Sequence, residues 1–386
     1  MTPHPVDGPS PLRDAAARAL ELGRSVAGTT APNPAVGCVI LRDGRIVGEG
    51  ATSPAGGPHA EVRALAAAGP LARGATAVVT LEPCAHVGRT PPCTQALLAA
   101  GIGSVRYLVT DPHPHAGGGA MVLTAAGVDV RALVLDGPDL AELVVRAEHD
   151  LRGFLTLVGA GRPHVLLKLA QLADGRMVDP ASSERYLTGI AARRRVHELR
   201  ADVDAVLVGS GTVSSDDPRL DARDVAVVRQ PRPVVLATSA ALPLRAHVVR
   251  RGALVLVGEE CGETDVRALA AAGAEVHRVP TVVTAERRSI HLPAALERLS
   301  DLGIMTVLAE PGPRLARAML AADAVDEVEL HVARCALGAA IVPAVELAPD
   351  RFTTTDVRAV GEDLLVRARR QRSPSSLATL RPRAVA

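Results

Sequence analysis

Apolar residues recur at helical spacing over residues 13–27, and a continuous apolar run, Ala-Val-Gly-Cys-Val-Ile-Leu, follows at 35–41. The first pattern predicts an amphipathic helix and the second a buried strand. Asp43-Gly44 suits a tight turn into a second strand at 45–49, so the two strands form a hairpin. A helix over about 60–68 and a strand at 75–81 come next. Pro91-Pro92 then open a helix to Ala100, because the first helical turn has no intrahelical use for the missing N–H. A strand at 104–110, a helix near 118–126 and a strand at 128–134 complete the first half. Strands alternating with helices predict an α/β layered fold.

Residues 136–163 read as a connecting helix that ends in Gly159-Ala160-Gly161-Arg162-Pro163, where the domain boundary is placed. Beyond it the alternation resumes, with strands near 164–170, 204–209, 233–237, 253–257, 275–279, 304–309 and 326–332. Helices are predicted near 190–200, 264–272, 293–301 and 313–321. At 386 residues the chain exceeds the usual single-domain size, so two domains are expected, over 11–150 and 160–365. After Val366 come six arginines and no acid, interspersed with Ser and Pro, which predicts a disordered tail over 366–386.

A net charge of +1 offers no electrostatic pull toward nucleic acid or an anionic membrane. With two Tyr, two Phe and no Trp there are few rings on which bases could stack, so a small-molecule substrate is expected. No charge-free apolar run reaches the ~18 residues of a membrane span. The Pro-rich start lacks the basic and apolar regions of a signal peptide, and a cytoplasmic protein is the expectation. Five cysteines, an odd number spread over both halves, argue against a disulfide framework. Of the 43 basic side chains only Lys168 is lysine, which marks a position where a compact ammonium and not a planar guanidinium is required.

Chemistry concentrates in two segments. His59-Ala60-Glu61 opens a predicted helix, Glu82-Pro83-Cys84 ends a predicted strand, and Cys93 lies at the next helix start. Hydrolytic deamination needs a nucleophilic water near neutral pH, which zinc with three protein ligands and an open position provides. It also needs a carboxylate close to that water but off the metal. His59, Cys84 and Cys93 are therefore read as the zinc ligands and Glu61 as the proton carrier. The positive end of the helix is expected to favour the Cys93 thiolate. Eight residues, Ala85 to Pro92, separate the two cysteines, which is longer than the P-C-x-x-C spacing common among zinc deaminases. His86, inside this insertion, is read as a residue that supports the ligands or meets the substrate, while Cys38, Cys261 and Cys335 fall on apolar runs and are read as core.

The segments Asn33-Pro34-Ala35-Val36-Gly37-Cys38-Val39, His59-Ala60-Glu61-Val62 and Glu82-Pro83-Cys84-Ala85-His86-Val87-Gly88-Arg89-Thr90-Pro91-Pro92-Cys93 resemble the bifunctional deaminase/reductase family of riboflavin biosynthesis. The resemblance covers about residues 11–365. It implies a cytidine-deaminase-like three-layer domain followed by a dihydrofolate-reductase-like α/β domain. It also implies zinc and NADPH as cofactors, and a homodimer or tetramer. The substrate would be a diaminopyrimidinone carrying a ribosylamino 5-phosphate, first deaminated and then reduced at its ribose. By the same resemblance Asn33 would bond the pyrimidine edge, and Arg89 and Asp111 would hold the phosphate and ribose side. Thr52 and His113 depart from the family pattern at substrate-side positions.

In the second half Lys168-Leu169-Ala170 and Asp174-Gly175-Arg176 match the reductase motif incompletely, with Leu172 and Ala173 as departures. Leu199-Arg200-Ala201, Val208-Gly209-Ser210-Gly211-Thr212-Val213, Asp216-Asp217-Pro218-Arg219-Leu220 and Arg223 match well. The resemblance gives Lys168 and Asp216 catalytic roles and puts Arg200, Leu220, Arg223 and Glu310 on the substrate. Ala170, Tyr186, Thr212, Asp216, Thr238, Gly312, Pro313 and Arg314 would bind NADPH, with Glu310-Pro311-Gly312-Pro313 ending a strand and opening a phosphate-cradling helix. Glu184, Tyr186, Ala237 and Thr238 are further departures. The rival reading is a deaminase of a related pathway whose reductase half is weak, altered or only a scaffold.

Overall fold

A computed structural model of the chain describes residues 10–87, 91–114, 116–133, 138–177, 187–284, 287–335, 341, 345 and 347–371. The contacts divide it into two units, one ending at Gly161 and the other beginning at Arg162. The first unit therefore runs past the expected limit at residue 150, because a further helix precedes the Gly-rich turn. Among the described residues no helix is long and apolar enough to cross a membrane.

The first unit contains α1 (Pro11–Ser25), β1 (Gly37–Arg42), β2 (Arg45–Ala51), α2 (Ala60–Ala68), β3 (Thr76–Leu81), α3 (Cys93–Ala100), β4 (Ser104–Val109), α4 (Gly119–Ala125), β5 (Asp129–Ala132), α5 (Pro138–Asp150) and α6 (Arg152–Ala160). Helix α1 begins with Pro11 in its first turn and buries one stripe: Ala15, Ala16, Ala19, Leu20 and Gly23. The strands form a sheet in the order β2-β1-β3-β4-β5. Strand β1 is antiparallel to β2 and β3, while β3, β4 and β5 run parallel.

Two glycines show how tightly the layers close. A Cβ on Gly37 would lie 1.9 Å from the Ala19 carbonyl oxygen of α1, and one on Gly50 would lie 2.3 Å from the Ala60 carbonyl oxygen of α2. Gly50 pairs with Cys38, the neighbour of Gly37. Side chains alternate across a sheet, so α1 and α2 cover opposite faces. The three-layer arrangement follows from that alternation.

The second unit comprises β6 (His164–Gln171), α7 (Ile190–Ala201), β7 (Ala205–Gly209), α8 (Ser210–Asp216), β8 (Arg232–Ala237), α9 (His247–Arg250), β9 (Leu254–Gly258), α10 (Glu263–Ala271), β10 (Glu275–Val279), β11 (Thr281–Val283), β12 (Arg288–Ile290), α11 (Leu292–Asp301), β13 (Thr306–Ala309), α12 (Pro313–Ala321), β14 (Glu327–Val332), β15 (Phe352–Val360) and β16 (Asp363–Arg370). Its main sheet has the order β10-β9-β8-β7-β13-β6-β14-β16-β15. The strands from β10 to β14 are parallel, and β16 and β15 close the edge in antiparallel fashion.

Successive apolar residues in these strands serve two cores. Leu207, Val234, Leu236, Leu254 and Leu256 pack with Leu296 and Leu299 of α11 and Met319 of α12. Their neighbours Val206, Val208, Val235, Val255 and Val257 pack with Leu199 of α7, Val213 of α8 and Leu269 of α10. Both faces are covered, which is why these strands read as continuous apolar runs in the sequence.

The expected tail begins too early. Strand β16 continues through Arg370, with Leu364, Leu365 and Ala368 buried. Its arginines are held by acids, Arg367 by Glu329 and Arg369 by Glu327. The remainder of the expected tail, from residue 372, lies outside the described residues.

Candidate active sites

His59, Cys84 and Cys93 converge, their ligand atoms all within 4.8 Å of one another. His59 immediately precedes α2, and its side chain does not cap that helix. Its Nδ1 lies 3.3 Å from the Cys93 Sγ and 3.7 Å from the Cys84 Sγ. Two sulfurs and an imidazole nitrogen at this separation fit zinc with a fourth position left open.

The helix end also reaches the other cysteine. Cys93 is the first residue of α3, and its backbone N–H donates to the Cys84 Sγ at 3.3 Å. The Cys84 thiol is made more acidic, first by its hydrogen bond with Cys93 and then by His59. The Cys93 thiol is pushed up by the same bond and by burial. The α3 terminus thus presents an N–H to the Cys84 sulfur.

Glu61, in the first turn of α2, is 4% exposed. Burial, reinforced by the charge of Cys84, pushes its carboxyl up to about 6. Asp111 is also pushed up to about 6, by burial and by neighbouring Glu82, with the His113 backbone N–H bond opposing the rise. Asn33 precedes β1 in a turn closed by the Thr30 hydroxyl, which donates to the Asn33 carbonyl.

Glu82 has a role that its place in the motif did not reveal. Its carboxylate accepts from the Asp111 N–H at 3.2 Å and from the Ala120 N–H at 2.9 Å. It thereby fixes the segment carrying Asp111 against the end of β3. A buried acid beside two backbone segments was visible only in three dimensions.

The two departures in this unit have structural work. The Thr52 hydroxyl accepts from the Val36 N–H at 3.1 Å and is 3% exposed, so it extends the β1–β2 pairing. The His113 Nδ1 accepts from the Ala116 N–H at 3.1 Å, and its ring stacks on His86 with centroids 6.1 Å apart. Arg89 lies outside the described residues. Cys38 and Cys335 are buried as expected, and half-buried Cys261 donates its Sγ–H to the Thr238 carbonyl.

In the second unit the predicted residues gather at the carboxyl ends of parallel strands. The adjacent strands β7 and β13 send their following helices to opposite faces, α8 to one core and α12 to the other. Such a divergence opens the crevice in which α/β sheets bind nucleotides. Gly209 and Gly312 precede α8 and α12, and a Cβ on Gly211 or Gly312 would meet nothing within 4 Å. Thr212 lies on α8, Thr238 just after β8, Pro313 and Arg314 at the start of α12, and Ala170 near the end of β6. This backbone-lined opening fits a dinucleotide phosphate. Tyr186 and Glu184 lie outside the described residues. Asp216 is exposed as the last residue of α8, and buried Ala237 packs in the core beneath.

Two residues expected to meet the substrate separately hold each other. Arg200 forks onto Glu310, Nε to Oε1 at 2.7 Å and Nη2 to Oε2 at 2.9 Å. Arg200 also donates to the Asp221 carbonyl at 3.1 Å, and Arg223 pairs with the Asp221 carboxylate. Burial would raise the Glu310 carboxyl, but the charge and hydrogen bond of Arg200, with Lys168, hold it below its ordinary value. Lys168 is pushed down by burial and by Arg200, against the opposing pull of Glu310 and Glu329. Leu220 adopts a left-handed backbone, φ 54°, and is 1% exposed, packed in the core of this unit.

Residues 11–109 match the cytidine and deoxycytidylate deaminase zinc-binding region, and residues 163–366 match the RibD C-terminal domain. The riboflavin biosynthesis protein RibD of Mycobacterium tuberculosis is 40% identical over 362 residues, covering 92% of this chain and 96% of that protein. The chain belongs to the RibD family. The Escherichia coli RibD is 38% identical over 361 residues, covering 90% of this chain and 96% of its own length. The structure of Acinetobacter baumannii RibD superposes with a TM-score of 0.73 at 33% identity, covering 94% of this chain and 99% of that one. A Thermotoga maritima diaminohydroxyphosphoribosylaminopyrimidine deaminase/5-amino-6-(5-phosphoribosylamino)uracil reductase gives a TM-score of 0.73 at 30% identity, with the same coverage. As in other RibD proteins, a zinc-binding deaminase domain precedes a reductase domain of the NADPH-dependent type.

Proposed function

We propose that this RibD protein performs two consecutive steps of riboflavin biosynthesis, one in each unit. The first unit hydrolyses an amino group from a diaminopyrimidinone that bears a ribosylamino 5-phosphate, releasing ammonia. The second reduces the ribose of the deaminated product to a ribityl chain. The observation that carries this reading is the convergence of His59, Cys84 and Cys93 beside buried Glu61.

When bound, zinc supplies Lewis acidity that makes water nucleophilic near neutral pH, and NADPH supplies a hydride. Glu61 takes one proton from the attacking water and delivers it to the pyrimidine ring, then carries the second, from the hydroxyl so formed on the ring carbon, to the departing amine. A carboxyl held at about 6 suits both directions of transfer. Asn33 orients the pyrimidine edge, Asp111 the ribose side, and Arg89 the phosphate by bidentate pairing. In the second unit Lys168 faces the opened ribose. Arg200 and Arg223 draw the phosphate, Glu310 accepts from a substrate hydroxyl, and Asp216 completes the catalytic set. Thr212, Thr238 and the Gly312–Arg314 turn hold the cofactor beside Ala170 and Tyr186. A cytoplasmic homodimer or tetramer is part of the reading, and light scattering of the purified protein tests the assembly.

The decisive experiment supplies purified protein with the phosphorylated diaminopyrimidine. Ammonia is released without any nicotinamide, and added NADPH is then oxidised in stoichiometric amount. Ammonia release without oxidation removes the second activity and leaves the scaffold reading of the C-terminal unit.

A further inference from the structure

Behind Lys168 lies a buried charged cluster that the roles above leave unused. Strands β6 and β14 are parallel neighbours, with Lys168 paired to Glu329 and Ala170 to His331. Paired residues project from the same face of adjacent strands, which lie about 4.8 Å apart. Glu329 and His331 are both 0% exposed. The His331 Nε2 lies 3.0 Å from the Glu329 Oε1, and the carboxylate also receives Arg195 from α7 and Arg367 from β16.

The direction of that bond fixes which ring nitrogen faces the carboxylate as a donor. A carboxylate only accepts, so His331 Nε2 donates, and in a neutral ring Nδ1 carries a lone pair. That Nδ1 is enclosed and has no hydrogen-bond partner. A buried acceptor left unpaired is rare in folded proteins and calls for a reason beyond packing. Burial pushes the His331 pKa down, with Lys168 adding to the fall and Glu329 and Asp363 opposing it. Burial alone would raise the Glu329 carboxyl. His331, Arg195 and Arg367 outweigh it and hold the group at about 2, permanently negative.

Lys168 meanwhile has no hydrogen-bond partner among the described residues, which leaves its donors for a ligand. The charges around it are Glu310 after β13, Arg200 on α7 and the Glu329–His331 pair on β14. Glu310 is already forked onto Arg200. Glu329 is likewise engaged, by His331, Arg195 and Arg367, and it holds the position paired with Lys168 on the neighbouring strand.

We propose that Glu329, locked in place by His331, is a positioning residue that keeps Lys168 in its ammonium form and directed at the substrate during reduction. The proposal rests on the reading of Lys168 as the residue facing the ribose. Removing a negative charge beside an ammonium makes it lose its proton at lower pH, so the alkaline limb of the reductase profile moves toward acid.

The test measures NADPH oxidation with the deaminated substrate across pH, using the full chain. Glu329→Gln should lower kcat about tenfold and move the alkaline limb roughly one pH unit toward acid, with NADPH affinity unchanged. Glu329→Asp should recover part of both. His331→Leu should move the profile in the same direction by less, and His331→Gln, which can donate to Glu329, should restore it. Should Glu329→Gln fail to fold, the two His331 variants carry the test. Lys168→Gln separates the two claims. If it is inactive while the Glu329 and His331 variants keep the native profile, the positioning role is overturned. If Lys168→Gln keeps native reduction, the reading of Lys168 itself falls.

Discussion

The two sites are built in contrasting ways. In the first unit a strand end and two helix starts deliver His59, Cys84 and Cys93 to one point, and each ligand sits beside a recognisable break in secondary structure. In the second, Lys168, Arg200, Arg223 and Glu310 come from four separate segments; Arg200 forks onto Glu310, Arg223 pairs with Asp221, and Lys168 feels the charges of Glu310 and Arg200 without an ion pair of its own. A metal site draws on few atoms with strict geometry, so its residues stand out by type and spacing. A site for a sugar phosphate and a dinucleotide is a distributed charge pattern, and each member is also part of the fold's own electrostatics.

Four substitutions set that contrast at risk, in descending order of expected effect. Cys84→Ser should abolish both metal retention and deamination, read by metal analysis and ammonia release, while NADPH-dependent reduction of the deaminated substrate persists. Loss of both activities would mean that the units are not separable in this way. Glu61→Gln should lower deamination by about 10²- to 10⁴-fold with the metal retained. Metal loss in that variant would make Glu61 a ligand and not a proton carrier. Lys168→Arg should lower reduction about 10- to 100-fold and spare ammonia release, because a planar fork cannot replace a compact ammonium there. Native reduction in Lys168→Arg would make the single lysine an accident of composition. Thr52→Val should cost about 1 kcal/mol of stability and leave the KM for deamination unchanged. A raised KM would return Thr52 to the substrate side.

The elements with strong periodicity or clear punctuation were legible in advance. Asp43-Gly44 marked the β1–β2 turn, the Pro91-Pro92 pair marked the start of α3, and Gly161 ends α6 in a left-handed cap. The hairpin of β15 and β16 was not foreseen. Strand β15 exposes most of its residues, among them Thr353, Thr354 and Arg358, so it lacks the apolar alternation that signals a strand. Helix α8, made of Ser210-Gly211-Thr212-Val213-Ser214-Ser215-Asp216, lacks good helix formers and is set by its place after β7.

At the sites, the ligand triad could be read because residue type limits it. The Arg200–Glu310 fork could not, since 110 positions separate its partners and any of many arginines might have served the acid equally in sequence terms. The contact of the α3 terminus with Cys84 was hidden for a similar reason. Helix position told where the positive end lies, but only the fold told which sulfur its N–H meets.

The stretch between Cys84 and Cys93 is anchored at both of its ends. Ala85 N–H bonds the Ala116 carbonyl at 2.9 Å, and Thr94 N–H returns to the Cys84 carbonyl at 3.3 Å. Lengthening a loop whose ends are already held costs only about 0.6 kcal/mol for each doubling. The nine-position step between the ligands therefore behaves as an exchangeable cassette, open to grafting and to drift. New substrate preferences can be written into that cassette while the metal-binding frame on either side stays as it is.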